Sequence, residues 1–280
     1  RVPVPVLRPL LRMCKKTGVS LEHSRRVVIM CDKGGVGERL TELLKKREVE
    51  VLQIPGAPDV ATLTSQLNTW MAAGSIDGIY WLPALDQEGS LNEMELASWR
   101  EALRVRVKLL YATTRVLYTH IAKPGTFLVS ATRFGGRHGY DPEGALAPLG
   151  GAVSGFTKTF KRERPEALVK AVDFEATAKP EDIASELIEE TLRDPGAVEV
   201  GYKDALRWTI GLEEQTAEDK RPGLQLDDKT VFVVTGAAGS IVSAINADLA
   251  VASGGTFYLL DLVSKPDPAN PDLQKFVSDK

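Results

Sequence analysis

The sequence is poor in the residues that build covalent or metal-held scaffolds. Its 280 residues include two cysteines, Cys14 and Cys31, and three histidines, His23, His120 and His138. No Cys-x-x-Cys occurs and the histidines are scattered, so neither a disulfide framework nor a zinc site is expected, and a reducing, cytoplasmic setting fits. No apolar run approaches the roughly eighteen residues of a membrane span, which argues against a membrane role. The formal net charge of −3 gives no basic footprint for nucleic acid. The local cluster Lys161-Arg162-Glu163-Arg164 reads as a solvated helix end. The first residues, Arg1-Val-Pro-Val-Pro, lack an initiator Met and any n-region, h-region or cleavage pattern, as expected of a piece from inside a longer polypeptide.

What is present is an alternation of two periodicities. With 43% hydrophobic and 26% charged residues the chain can afford a sizeable core. Short β-branched runs at Val27–Met30, Val49–Ile54, Gly78–Leu82, Thr126–Ala131 and Ala167–Asp173 read as strands. Between them Val36–Lys46, Val60–Ala73, Glu93–Ile121, Ala145–Arg164 and Pro180–Arg193 read as helices, the long third one stopped by Lys123-Pro124-Gly125. Val198–Tyr202 and Arg207–Ile210 are short strand candidates. Alternating strands and helices predict a Rossmann-like, doubly wound parallel sheet over residues 25–212, with 1–24 as an N-terminal extension. Polar Glu213–Lys229, containing Arg221-Pro222-Gly223, reads as a linker. From residue 230 to 280 the pattern starts again but runs out after one strand–helix–strand, so that the chain reads as one complete domain and the beginning of another.

Two glycine-bearing turns follow a strand and open a helix. In Cys31-Asp-Lys-Gly-Gly-Val-Gly37, a carboxylate and an ammonium stand where a pyrophosphate needs bare backbone, so a structural turn is expected there; Lys33 would meet a phosphate and Asp32 would repel it. In Thr235-Gly-Ala-Ala-Gly-Ser-Ile241, Gly236 permits the bend, Gly239 lets the backbone approach a phosphate, and Ser240 and Ile241 start the helix. The third glycine of the motif is replaced by Val242. The next strand, Thr256–Leu260, ends in Asp261, the position for a carboxylate that receives ribose hydroxyls. Thr235, Gly236, Gly239, Ser240, Ile241 and Asp261 are therefore the candidate dinucleotide-binding residues. The competing reading is an ordinary βαβ unit with a solvated Asp.

Glu199-Val-Gly-Tyr-Lys-Asp-Ala-Leu-Arg-Trp208, Val231–Ile241, and Phe134-Gly-Gly-Arg-His-Gly-Tyr140 with Gly144–Lys158 together resemble the ketoreductase region of a polyketide or polyunsaturated-fatty-acid synthase. That family lies within the short-chain dehydrogenase/reductase superfamily and carries two Rossmann-like halves in tandem. The resemblance covers nearly the whole chain. It implies a degenerate structural half followed by the start of the half that binds nicotinamide and does the chemistry, with the catalytic residues beyond Lys280. It also implies a carrier-protein-bound β-ketoacyl substrate and neighbouring synthase domains as partners.

Reductases of this superfamily use a Tyr-x-x-x-Lys pair with a Ser on the preceding strand. In the first half Lys158 stands on the expected helix, but Ser154 stands four residues before it, and Ser130 would have no phenol to work with. Tyr140 is the nearby substitute, at a spacing wrong for one helix face. No residue of this chain is thus expected to be catalytic. The resemblance implies NADPH, whereas Asp261 favours NADH, and Lys265 is near enough in sequence to compensate. Two other classes stay open: an inert scaffold module, and a self-sufficient reductase built on the first half.

Overall fold

The structure, a computed structural model, describes residues 1–89, 92–142, 144–145, 147–216, 223, 226–263 and 267–278. The chain divides into two units, Arg1–Gln215 and Thr216–Lys280.

The first unit contains eight strands: β1 (Val2–Leu7), β2 (Arg26–Met30), β3 (Glu50–Ile54), β4 (Gly78–Ala84), β5 (Phe127–Thr132), β6 (Leu168–Phe174), β7 (Glu199–Lys203) and β8 (Leu206–Glu213). They form one sheet in the order β1-β8-β7-β6-β5-β4-β2-β3, parallel from β3 through β7 and antiparallel at β8 and β1. Six helices connect them: α1 (Val36–Lys45), α2 (Val60–Ala72), α3 (Leu96–Leu103), α4 (Leu109–Val116), α5 (Gly150–Glu163) and α6 (Pro180–Leu192).

Successive strand residues point to opposite faces, and both faces are covered. Val27 and Ile29 of β2 pack with Leu40 of α1 and Leu187 of α6, while Val28 and Met30 pack with Leu63 of α2, Leu110 of α4 and Phe160 of α5. Coverage on both sides is why these strands read as unbroken apolar runs. The chain leaves β2 toward β3 and returns on the other side to β4, so the order reverses between β2 and β4, the place where open α/β sheets bind ligands.

Three sequence expectations are corrected. The helix expected over Glu93–Ile121 is broken by a π-helical turn at Arg104–Lys108, because the buried Trp81 indole donates to the Arg106 carbonyl at 2.8 Å and draws it out of the regular ladder. The helix expected from Ala145 starts at Gly150, since Pro148 pushes the residue before it away from helical geometry. Residues 1–24, expected as an extension, supply β1, which pairs with β8 from Val2↔Glu213 to Leu7↔Trp208, and Thr17, whose hydroxyl donates to the Thr191 carbonyl at 2.7 Å. Since Arg8 N–H donates to Arg207, alternation turns positions 3 and 5 outward; both are proline, which leaves no donor there for a further strand.

The second unit holds β9 (Val231–Thr235), α7 (Ser240–Ser253), β10 (Thr256–Leu260) and α8 (Pro271–Ser278). Strands β9 and β10 are parallel, with Phe232 stacked on Phe257 at 4.5 Å between ring centroids. Helix α8 is an element that the proline-rich stretch concealed: Asn270 accepts from the Asp272 N–H at 2.9 Å and Pro271 occupies the first turn. Lys265, and Arg221 and Pro222 of the expected linker, lie outside the described residues. Among the described residues no helix is long and apolar enough to cross a membrane.

Candidate cofactor site

Two βα turns of similar sequence end up with opposite electrostatics. After β2, the Asp32 carboxylate folds into the turn and accepts from Gly34 N at 2.9 Å, Gly37 N at 2.8 Å and Val36 N at 3.3 Å. Asp86, at the end of the neighbouring β4 segment, accepts from Lys33 N at 2.7 Å. The donors that would cradle a phosphate at the start of α1 are already taken by the protein's own carboxylates, and a second anion there meets both occupied donors and like charge. Gly37 retains the packing role of the third motif glycine, because a Cβ would lie 2.7 Å from Cys31 Sγ.

The cleft outside this turn, about 1290 Å³, is lined by Asp32, Asp86, Glu88, Glu101, Arg106 and Arg133 among others. Arg106 is buried, 3.3 Å from Glu88, and donates to the Asp86 carbonyl at 3.0 Å. Burial pushes the Cys31 thiol on the same cleft up to about 11, so it is not a thiolate at neutral pH. Among the described residues no cluster of metal-ligating side chains occurs.

After β9 the turn is open. Gly236 adopts φ +65°, a left-handed conformation that glycine enters without penalty, and Gly239 caps α7 with no side chain filling the helix start. The first turn of α7 contains no acidic residue, and the N–H groups of Ser240, Ile241 and Val242 make no hydrogen bond among the described residues. This donor set suits a phosphate. Thr235 closes β9 opposite Leu260, and Asp261 just beyond reaches back so that Oδ2 accepts from Ala238 N at 2.8 Å and Oδ1 from Val263 N at 3.1 Å. The Ala238 and Val263 bonds hold its carboxyl below the usual carboxylate range. All six candidate residues therefore meet at the carboxyl ends of β9 and β10.

Ser130 and Lys158, weighed in the sequence as reductive residues, are occupied by structural contacts. The Ser130 hydroxyl is buried and pairs with Thr157 at 2.8 Å, one helical turn away from the partner its counterpart would need. Lys158 donates to Glu199 at 2.7 Å. Ser154 is buried, its hydroxyl lacking a partner among the described residues, and Tyr140 is nearly half exposed. Sequence reading missed Asp173 altogether. Fully buried at the end of β6, it accepts from Thr132 Oγ1 and from the N–H groups of Phe134, Gly136 and His138 at 2.7–2.9 Å, and so shapes the 133–140 loop. An isolated Asp at a strand end carries no sequence signal for such a role.

No protein-family model and no curated protein matches the sequence. Solved structures do match. One, described as the adenylation, ketoreductase and pseudo-Asub multidomain structure of a keto acid-selecting NRPS module, shares 15% identity at a TM-score of 0.71 over 99% of this chain and 24% of that one. An N-terminal ketoreductase from the macrolactin assembly line gives 13% and 0.62 over 99% of this chain and 55% of that one. A short-chain dehydrogenase/reductase from Brucella melitensis gives 16% and 0.53 over 65% of this chain and 97% of that one. The chain thus spans about a quarter and about half of the first two. Its fold, a Rossmann-like α/β sheet, is thus shared with these ketoreductase and short-chain dehydrogenase/reductase structures.

Proposed function

We propose that this chain is the structural subdomain and the opening of the catalytic subdomain of a β-ketoacyl reductase in a polyketide or fatty-acid megasynthase. The observation that carries this reading is the asymmetry of the two turns, one filled by Asp32 and the other with its helix donors open. Gly236, Gly239, Ser240 and Ile241 would seat the pyrophosphate of a nicotinamide cofactor, Thr235 would shape the bend, and Asp261 would meet the adenosine ribose. A nicotinamide, when bound there, would supply a hydride to the β-carbon carbonyl of an acyl chain held on a carrier protein. The proton that completes the alcohol is assigned to the remainder of the catalytic subdomain, so the 280 residues alone have no ketone reductase activity. A cytoplasmic setting and contacts with neighbouring synthase domains belong to the same reading.

Cofactor choice tests it. Asp261 repels a 2′-phosphate, so the longer protein should show a higher kcat/KM with NADH than with NADPH, and Asp261→Ala should narrow the ratio. A parent that prefers NADPH, or a ratio unmoved by the substitution, would remove Asp261 as the selector. A second reading, an inert scaffold that organises neighbouring domains, is favoured by Asp32, Ser154 and Val242, at the third glycine position, together. Failure of the longer protein to bind either nicotinamide would select it. A keto acid-selecting module among the structural neighbours makes a keto acid-derived group the other substrate to offer beside a β-ketoacyl one.

A further inference from the structure

The contacts of Asp261 carry more than a choice between cofactors. Its carboxylate bridges two segments: Oδ2 accepts from Ala238 in the turn after β9, and Oδ1 accepts from Val263 just beyond β10. The same turn is held by Ala237 N–H donating to the Leu260 carbonyl at 3.3 Å and by Gly239 N–H donating to Gly236 at 3.0 Å. Every N–H of the turn from Ala237 to Gly239 therefore points at the protein, and the donors left over are those of Ser240, Ile241 and Val242 at the head of the 14-residue helix α7. Of these turn-holding bonds only the one to Ala238 depends on a side chain. A side-chain bond of this kind is removable by mutation without touching the strand pairing.

We propose that Asp261 is a positioning residue for the glycine-bearing turn, tying Ala238 to the end of β10 so that an incoming phosphate is directed to the first N–H groups of α7. This rests on the reading of the turn as a cofactor site and separates two effects of one carboxylate. As a negative charge it opposes any phosphate nearby; as an acceptor it shapes the seat the phosphate takes. The two effects have opposite signs for a ligand that has no ribose.

Inorganic pyrophosphate is that probe, titrated into the 280-residue chain while the Ser240 and Ile241 amide resonances are followed, with amide hydrogen exchange at Ala238 read in parallel. In Asp261→Ala, Ala238 exchange should quicken about tenfold and pyrophosphate affinity should fall about fivefold, the size of one lost hydrogen bond. Asp261→Asn sheds the charge and keeps one acceptor, so with its oxygen toward Ala238 the Ala238 protection should be retained and pyrophosphate affinity should not fall, the Val263 bond being the one given up. Tighter pyrophosphate binding in both variants would show that the side chain acts through charge alone and would overturn the proposal. So would unchanged Ala238 exchange in Asp261→Ala. Pyrophosphate that leaves Ser240 and Ile241 unperturbed in the unmodified chain, with Ala238 still protected, would overturn the cofactor reading of the turn, and this inference with it, while leaving the contact itself in place.

Discussion

Gly136 and Gly201 bring the 133–140 loop and strand β7 together backbone to backbone. A Cβ on Gly201 would overlap the Gly136 carbonyl, and one on Gly136, which also has φ +86°, would overlap the Tyr202 carbonyl. Two of the segments that resemble ketoreductases in sequence, 134–140 and 199–208, are thus the two sides of one contact. Gly201→Ala should destabilise the chain by about 2–3 kcal/mol through overpacking, read as a lowered urea midpoint. Gly155→Ala, in α5 with nothing near the added methyl, should stabilise the chain by about 1 kcal/mol and raise the midpoint. Equal effects of the two would discard the steric account. Glu190 presents a different residue-scale case. It is fully buried, accepting from Lys170 Nζ at 2.6 Å and Arg207 Nε at 2.6 Å, with Tyr202 donating at 2.7 Å. Burial pushes its carboxyl up, but Arg207 and Lys170 outweigh this and hold it below the ordinary 4.5; Asp194, with Arg207 and Arg8, behaves alike relative to 3.8. A depressed folded pKa contributes stability that is present above the unfolded value and lost as pH falls through the folded one. The contribution of Glu190 and Asp194 to the unfolding free energy should therefore be flat from neutrality to about pH 5 and decline below about pH 4.5. Glu190→Gln, which leaves buried Lys170 without its carboxylate and Arg207 with Asp194 alone, should cost about 3–5 kcal/mol at pH 7. A variant within about 1 kcal/mol of the parent would show that the network contributes little.

At the scale of elements, the second unit stands out for what it leaves uncovered. Helix α7 exposes Val251 at 91% and Ile241 at 74%, and β9 and β10 expose Val233 and Tyr258. Two strands and a helix bury too little apolar surface to offset the entropy of ordering the chain. A peptide of residues 226–278 should be unfolded in isolation, with no cooperative transition in far-ultraviolet circular dichroism; a sharp thermal transition would contradict this. Helix limits were legible where punctuation is local, as at Pro180 of α6. They were misplaced where tertiary contacts intervene: the Trp81 indole that opens the π turn lies more than twenty residues from it in sequence, outside any window of periodicity.

For the whole molecule, the first unit should fold and be inert toward the cofactor. Residues 1–215 hold both apolar layers of the eight-stranded sheet, and isothermal titration with NADH or NADPH should give no heat of binding; submillimolar affinity for either would overturn the account of Asp32 as an internal anion. The sequence alone determined the parallel α/β architecture, because strands buried on both faces must be continuously apolar and their crossovers amphipathic. It also determined the second start at Val231, since strand, glycine turn and helix follow one another locally. It marked Asp32 as unfavourable to a phosphate by charge. Only the tertiary structure decided that Asp32 fills the seat itself, that residues 1–24 supply β1 at the sheet edge, that Ser130 and Lys158 are spent on Thr157 and Glu199, and that Asp261 reaches the turn at Ala238. The reason is the same throughout: hydrophobic period is written along the chain, whereas the partner of a polar group is chosen by whichever donors the fold brings within about 3 Å of it.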